Sequence, residues 1–207
     1  MNDHFVITIG REAGSGGKII SQMLAERLGV KCYDKELITL AAKQSGLCTE
    51  VFENFDEKPS NSLLYSIAMD PYSGMSGVMN HMPLNHQVFL AQFETIRNLA
   101  AKESCVIVGR CADYALSGMD NVTSVFISAN REDRIKEISR RLEISESKAE
   151  DKLIKADKKR ASYYNFYSEK RWGEAKSYQL CLNSSVLGYE GCVDMIIDFV
   201  EKKNSRK

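Results

Sequence analysis

A chain of 207 residues with 43% hydrophobic side chains can bury the core of one sizeable domain and still carry an insert. Lys plus Arg and Asp plus Glu number 28 each, so no net field draws the chain to a nucleic acid polymer or a membrane, and a small ligand held by local charge is expected. The six cysteines follow no C-x-x-C or metal-site spacing and read as reduced core thiols, Cys105 and Cys181 within apolar runs that suggest buried strands. Met1-Asn2-Asp3-His4 is no basic leader and no apolar run nears the ~20 residues that span a bilayer, so a cytoplasmic location is expected.

Phe5 to Ile9 is a short β-branched apolar run, the composition of a central strand covered on both faces. A loop with Gly10, Gly14, Gly16 and Gly17 follows. Ile19, Ile20, Met23, Leu24 and Leu28 then recur at helical spacing up to Gly29, a C-cap. Val30 to Tyr33 reads as a second strand ending at Asp34, a residue suited either to a ligand or to the cap of the next helix. Residues 35–58 read as interrupted helix. Residues 70–86, rich in Gly, Ser, Asn and Met, read as a loop or hinge, and their Met-rich part at 69–82 suits an acceptor lid or a dimer contact. His81 and His86 stand five apart, the wrong spacing for a helical metal pair, and read as bystanders.

A helix resumes through Phe89, Phe93, Ile96 and Ala100, and Cys105 to Val108 is a buried strand running straight into Gly109 and Arg110. Val122 to Ile127 is the next strand. Arg131 to Leu142 is a basic helix with Ile135, Ile138 and Leu142 inward; its arginines suit either a solvated face paired with Glu132, Glu137 and Glu143 or a ligand. Ser147 and Glu150 suit a capping box for the following helix, which carries Asp157 to Tyr164 (DKKRASYY). Tyr163, Tyr164, Phe166, Tyr167 and Trp172 are expected to pack beneath it. Tyr178 to Leu182 is a last strand, and Val193, Ile196, Ile197 and Val200 mark a closing amphipathic helix. Strands alternating with helices predict an α/β fold with a parallel sheet and a ligand at the carboxyl ends of its strands.

The stretch ITIGREAGSGGKII has four glycines in eight positions, which lets several N–H groups turn toward one anion at the start of a helix. Gly14, Ser15, Gly16, Gly17, Lys18 and Ile19 form this expected phosphate loop, with Arg11 as a second cation. The pattern G-x-x-x-x-G-K-[ST] is not met. In one register Glu12 replaces the first glycine and Ile19 the hydroxyl; in the other Gly17 replaces the lysine and Lys18 the hydroxyl. Both registers remain open, and Ser15 and Ser21 are the nearest hydroxyls to a magnesium ion.

The strings ITIGREAGSGGKI, CYDKELI, CVIVGRCADYAL, FISANREDRI, DKKRASYY and YQLCLNSS together resemble the cytidylate kinase-like family of nucleoside-monophosphate kinases, over nearly the whole chain. The resemblance implies a three-layer P-loop NTPase/nucleoside-monophosphate kinase fold with a parallel five-stranded sheet and a degenerate Walker A loop. It implies a single domain of residues 1–207, with a helical acceptor-binding insert at about 39–95 and a lid at about 131–175. The activity implied is phosphoryl transfer from ATP, with Mg2+, to a nucleoside monophosphate, CMP or dCMP first, in a monomer or homodimer.

By the same resemblance, Lys18 and the amides of Gly14 to Ile19 would bind donor phosphates, and Asp34, Arg110 and Asp113 the acceptor. Arg110 falls in the family's Gly-Arg-Asp motif, whose aspartate is Cys111 here, with Asp113 as the substitute. Arg131, Asp157 and Arg160 would act in the lid. An arginine expected there is Leu153, with Lys158, Lys159, Arg131, Arg134, Arg140 and Arg141 as candidate replacements. Two anionic substrates need cations from several directions, because phosphoryl transfer is mostly positioning and charge neutralisation. The altered motifs leave two alternatives, a kinase for another small acceptor and a nucleotide-binding regulatory protein without catalysis.

Overall fold

The computed structural model describes residues 4–46, 48–57 and 83–205. Strand β1 (Val6–Arg11) lies in the middle of a parallel five-stranded sheet ordered β2-β3-β1-β4-β5. The others are β2 (Lys31–Tyr33), β3 (Cys105–Val108), β4 (Val122–Ser128) and β5 (Leu180–Asn183). The β-branched, largely apolar run of β1, with Thr8 within it, suits this place, since a strand flanked on both sides in a helix-covered sheet has no wet face. Ile7 pairs with Val106 and Thr123, and Ile9 with Val108 and Val125.

Successive side chains point to opposite faces, so β1 feeds two cores. Ile7 and Ile9, with Val106, Val125 and Ile127, pack on Ile20 and Leu24 of α1 (Gly17–Leu28) and on Val193 and Ile196 of α8 (Ser184–Asn204). Val6 and Ile107 meet Leu37 of α2 (Glu36–Ser45), Ile96 of α4 (Leu84–Lys102) and Ala112 of α5 (Ala112–Ala115). Between α2 and α4 lies α3 (Thr49–Phe55), seated by Phe52 on Ile38 and Val88. Helices α6 (Arg131–Leu142) and α7 (Glu146–Ser168) form a hairpin whose small core, Ile138, Ala149 and Leu153, also takes Ala13 of the glycine loop. Tyr163, Tyr164 and Tyr167, on the buried side of α7, pack on Phe89, Phe126 and Tyr178, with Phe89 and Tyr167 stacked at 3.8 Å between ring centroids.

Several local expectations shift. Cys181 is exposed, because β5 is an edge strand with one covered face. A 3-10 turn over Ala175–Ser177 delays β5, so Tyr178 precedes it and joins the aromatic cluster. Ser145, not Ser147, caps α7, accepting the Lys148 N–H at 3.5 Å. Leu142 is 44% exposed, although it lies on the stripe of Ile135 and Ile138: it is the last residue of α6, before the left-handed cap at Glu143. Phe166 is also exposed. Gly29 closes α1 as read, donating to the carbonyls of Ala25 and Glu26. The span 39–95 contributes part of α2, α3 and the start of α4; the Met-rich stretch and His81 lie outside the described residues. His86 stacks on Tyr167.

Candidate active site

The sheet places the carboxyl ends of β1 and β3 side by side, where the chain reverses its direction of travel across the sheet. Strand β3 turns there through Gly109, Arg110 and Cys111, with φ of +73°, +53° and +54°. Two non-glycine residues in this region cost about 1–3 kcal/mol each, a strain that clusters where a side chain must be aimed. The side chain aimed is that of Arg110, 3% exposed. It donates through Nε and Nη2 to Asp56 at 3.1 and 3.0 Å, and through Nη1 to Asp34 at 3.4 Å and the Val108 carbonyl at 3.1 Å. Burial opposes the charge, but Asp56, Glu57 and Asp34 outweigh it and raise the guanidinium pKa.

Two further arginines meet beside it. Arg11, the last residue of β1, donates to Glu57 Oε1 at 3.1 Å, and Arg160 of α7 approaches Glu57 Oε2 at 3.7 Å. Arg160 also donates to the Arg11 carbonyl at 3.2 Å. Burial alone would raise the Glu57 pKa, but Arg11, Arg160 and Arg110 hold it down at about 2. The stability this contributes is complete above the unfolded value near 4.5 and is lost as the pH falls toward 2. Burial and the neighbouring Arg11 lower Arg160 to about 10, so it stays charged at neutral pH. The cleft between these groups is narrowed to a cavity of about 30 Å³, room for about one water. Its far wall is aromatic: the Tyr164 hydroxyl donates to Asp113 at 2.6 Å, and burial raises the Asp113 pKa. Cys111, buried alongside, has its thiol pKa pushed well up by the same desolvation.

The glycine loop is held from outside by α6 and α7. The Ala13 N–H donates to Asp157 at 2.8 Å, and the Ala13 carbonyl accepts from Arg134 Nε at 2.8 Å. Arg134 also pairs with Asp157 and, at 3.1 Å, with Glu12. Burial raises the Glu12 pKa, against its bond from the Ala129 N–H and the Arg134 charge. Asp157, read as a lid residue, thus grips loop backbone. Arg131 stands outside the site, 64% exposed and paired with Glu150, while Arg134 on the next turn is buried. Gly14 has φ +78°, and a Cβ there would lie 2.6 Å from the Arg134 carbonyl oxygen. Gly14→Ala is therefore expected to destabilise the protein by about 2 kcal/mol or more, measured by denaturant unfolding.

Gly16, also left-handed, is the N-cap of α1. The amides of Gly16, Gly17, Lys18 and Ile19 find no backbone acceptor among the described residues, so they present the donors and dipole of an anion site. A Cβ on Gly17 would lie 2.5 Å from Arg11 Cβ and 3.0 Å from Arg11 Cγ. The Arg11 stem thus covers the point from which the shifted register would project its lysine. Lys18 is half exposed and pairs with Asp34 at 3.5 Å; Ile19 is partly solvent-facing. The Ser15 hydroxyl donates to the Glu12 carbonyl at 3.0 Å and that of Ser21 to the Gly17 carbonyl at 2.6 Å. Among the described residues no group of three or more His, Cys, Asp or Glu forms a metal cage.

The structure brings Arg11, Arg110, Arg160, Asp34 and Lys18 together and sets Arg131 apart, while Asp113 lines the far wall of the cleft. Asp56 and Glu57 were not singled out from sequence; they end a segment that reads only as interrupted helix. Arg134, one of six candidate lid cations, had a usable signal: it lies four residues before Ile138, on the buried stripe of α6.

Such a sheet order, with a glycine loop feeding α1, is the architecture of P-loop kinases. Shikimate kinase from Bacteroides thetaiotaomicron superposes with a TM-score of 0.55 at 16% identity, covering 95% of this chain and 98% of that one, a likeness of fold. The model of the cytidylate kinase-like family matches residues 6–186, and the chain belongs to that family, a phosphotransferase family. It is similar to the cytidylate kinase of Archaeoglobus fulgidus, 26% identical over 203 residues (95% of each chain). That of Pyrococcus horikoshii is 26% identical over 192 residues (91% of this chain, 84% of its own). A solved structure of an uncharacterized protein from Eubacterium ventriosum is 30% identical with a TM-score of 0.71, over 95% of this chain and 98% of its own. No described helix is long and apolar enough to cross a membrane.

Proposed function

We propose that the chain transfers a phosphoryl group from Mg·ATP to a nucleoside monophosphate, with CMP and dCMP as the first acceptors to test. The observation that carries this reading is the convergence of Arg11, Arg110 and Arg160 beside a loop of unpartnered amides. Family membership and the two curated cytidylate kinases support it. In this reading the amides of Gly14 to Ile19 and Lys18 receive the donor phosphates. Arg110, with Asp34, receives the acceptor, and Arg160 arrives from a lid formed by α6 and α7. Arg11 does the work of the absent loop lysine, because its stem occupies that place over Gly17 and its guanidinium reaches the acceptor side. Cations spread over both substrates neutralise charge on the phosphoryl group in flight, and closure excludes water that would otherwise accept it.

The test is ADP release with Mg·ATP against a panel of nucleoside monophosphates and small alcohols. Transfer to a nucleoside monophosphate supports the proposal; tight ATP binding with transfer to none of the panel overturns it in favour of a regulatory nucleotide binder. Transfer confined to an alcohol supports the second reading, another small acceptor. One observation favours that alternative: Cys111 replaces the motif aspartate, and Asp113 is engaged by Tyr164. Arg11→Ala is expected to lower kcat by about 10²–10³-fold, the scale of losing one preorganised charge donor, and Lys18→Ala by far less. Equal losses in the two variants would return the lysine role to Lys18.

A further inference from the structure

Glu57 stands where an anion belongs. Its carboxylate meets the guanidinium groups of Arg11 and Arg160, with Arg110 close enough to act on its charge. It lies against the bare backbone of Gly109, where an added Cβ would come within 2.8 Å of Oε1. The side chain is only 13% exposed, and the cavity it leaves holds about 30 Å³. A phosphoryl group seated at this point would compete with the Glu57 carboxylate for the Arg11 and Arg160 guanidinium groups.

The three carboxylates at these cations are held differently. Asp56 receives two hydrogen bonds from Arg110 and one from Gln92, and Asp34 is shared by Arg110 and Lys18. Glu57 has one hydrogen bond, from Arg11, and a longer charge contact with Arg160. Its own backbone is left-handed at φ +51°, a strained position for a glutamate. Asp56 is thus fixed by three hydrogen bonds, whereas Glu57 has one at 3.1 Å and Asp34 one at 3.4 Å. Of these two singly bonded carboxylates, Glu57 is the one that faces two arginines from a left-handed backbone.

We infer that Glu57 is a built-in stand-in for the anionic end of the acceptor, seated on Arg11 and Arg160 in the free protein and displaced when a phosphoryl dianion takes its place. The inference rests on the acceptor role proposed above for this cleft. It also specifies the ligand chemistry. A monoanion merely matches the charge Glu57 already supplies, whereas a dianion adds a charge and a third oxygen for three guanidinium groups. Displacement lowers apparent affinity by the fraction of time the seat is free, and the same competition rejects weakly charged compounds.

The test is calorimetric binding of inorganic phosphate, without ATP, to the native chain, Glu57→Gln and Glu57→Asp. Glu57→Gln is expected to bind phosphate about tenfold tighter or better, the removal of a competing state. Phosphate should also raise the unfolding midpoint of that variant more than that of the native chain. Glu57→Asp, which keeps the charge but reaches Arg11 less well, should fall between the two and serves if the glutamine variant does not fold. Phosphate binding no tighter in the variants than in the native chain overturns the inference and makes Glu57 an organiser of the arginines. Because this readout needs no transfer, a chain that passes it yet phosphorylates nothing sinks the proposed reaction alone.

Discussion

Replacing Arg110 with methionine is expected to lower the midpoint of thermal unfolding by roughly 6–20 °C and to reduce transfer by at least about 10²-fold. The side chain is 3% exposed and holds two carboxylates and a strand-end carbonyl. Methionine fills similar volume but leaves Asp56 and Asp34 facing a buried gap. Breaking a buried pair in this way costs about 3–5 kcal/mol, because the charge left behind has lost its solvent and its partner. Arg110→Lys separates the two effects. It retains the charge and so should recover much of the stability, but a point charge cannot serve Asp56 through two nitrogens, and transfer should stay low. Differential scanning fluorimetry and the ADP-release assay read both quantities; a methionine variant with native midpoint and turnover would show that Arg110 neither supports nor orders the cleft.

Arg134→Met is expected to be nearly as damaging, for a different reason. Arg134 binds the Ala13 carbonyl, Glu12 and Asp157, and Asp157 binds the Ala13 N–H. Its loss frees the Ala13 carbonyl, leaves the Ala13 N–H to an Asp157 that has lost its partner, and strands two carboxylates, at about 3–5 kcal/mol. A loop no longer preorganised should bind ATP about 10–100-fold more weakly, by analogy with the loss of outer supports at metal and catalytic sites. Arg131→Ala, on the same helix, is the control: an exposed pair of this kind contributes about 0–1 kcal/mol. Titration with a fluorescent ATP analogue distinguishes them. Native nucleotide affinity in Arg134→Met would mean that the loop holds its shape unaided.

What could be read from the sequence, and what could not, follows from the range over which each signal acts. The apolar runs of β1 and β3, the helical spacing of α1 and the glycines between them are local patterns, and the parallel sheet follows from their alternation. Arg110 was legible because it follows a buried strand with one residue between. Arg11 was read only as a second cation; its passage over Gly17 depends on where α1 starts relative to the end of β1, which no spacing encodes. Glu57 lies 46 residues from Arg11 in the chain, and no local pattern marks a carboxylate that will be folded into a nest of arginines. The grip of Asp157 on Ala13 spans 144 residues. Arg131 is a lid cation by resemblance alone, whereas the face of α6 that turns inward is marked by Ile138.

Helix α7 touches both halves of the cleft. Asp157 holds the loop that would cradle one nucleotide, and Arg160, one turn further on, holds Arg11 and the Glu57 seat. A rigid helix carrying both contacts ties the two equilibria together, so that whichever ligand draws α7 inward raises the affinity for the other by the same factor. Dissociation constants measured for each nucleotide with and without its counterpart should close a thermodynamic cycle with a shared coupling energy, and Arg160→Ala should collapse that energy toward zero.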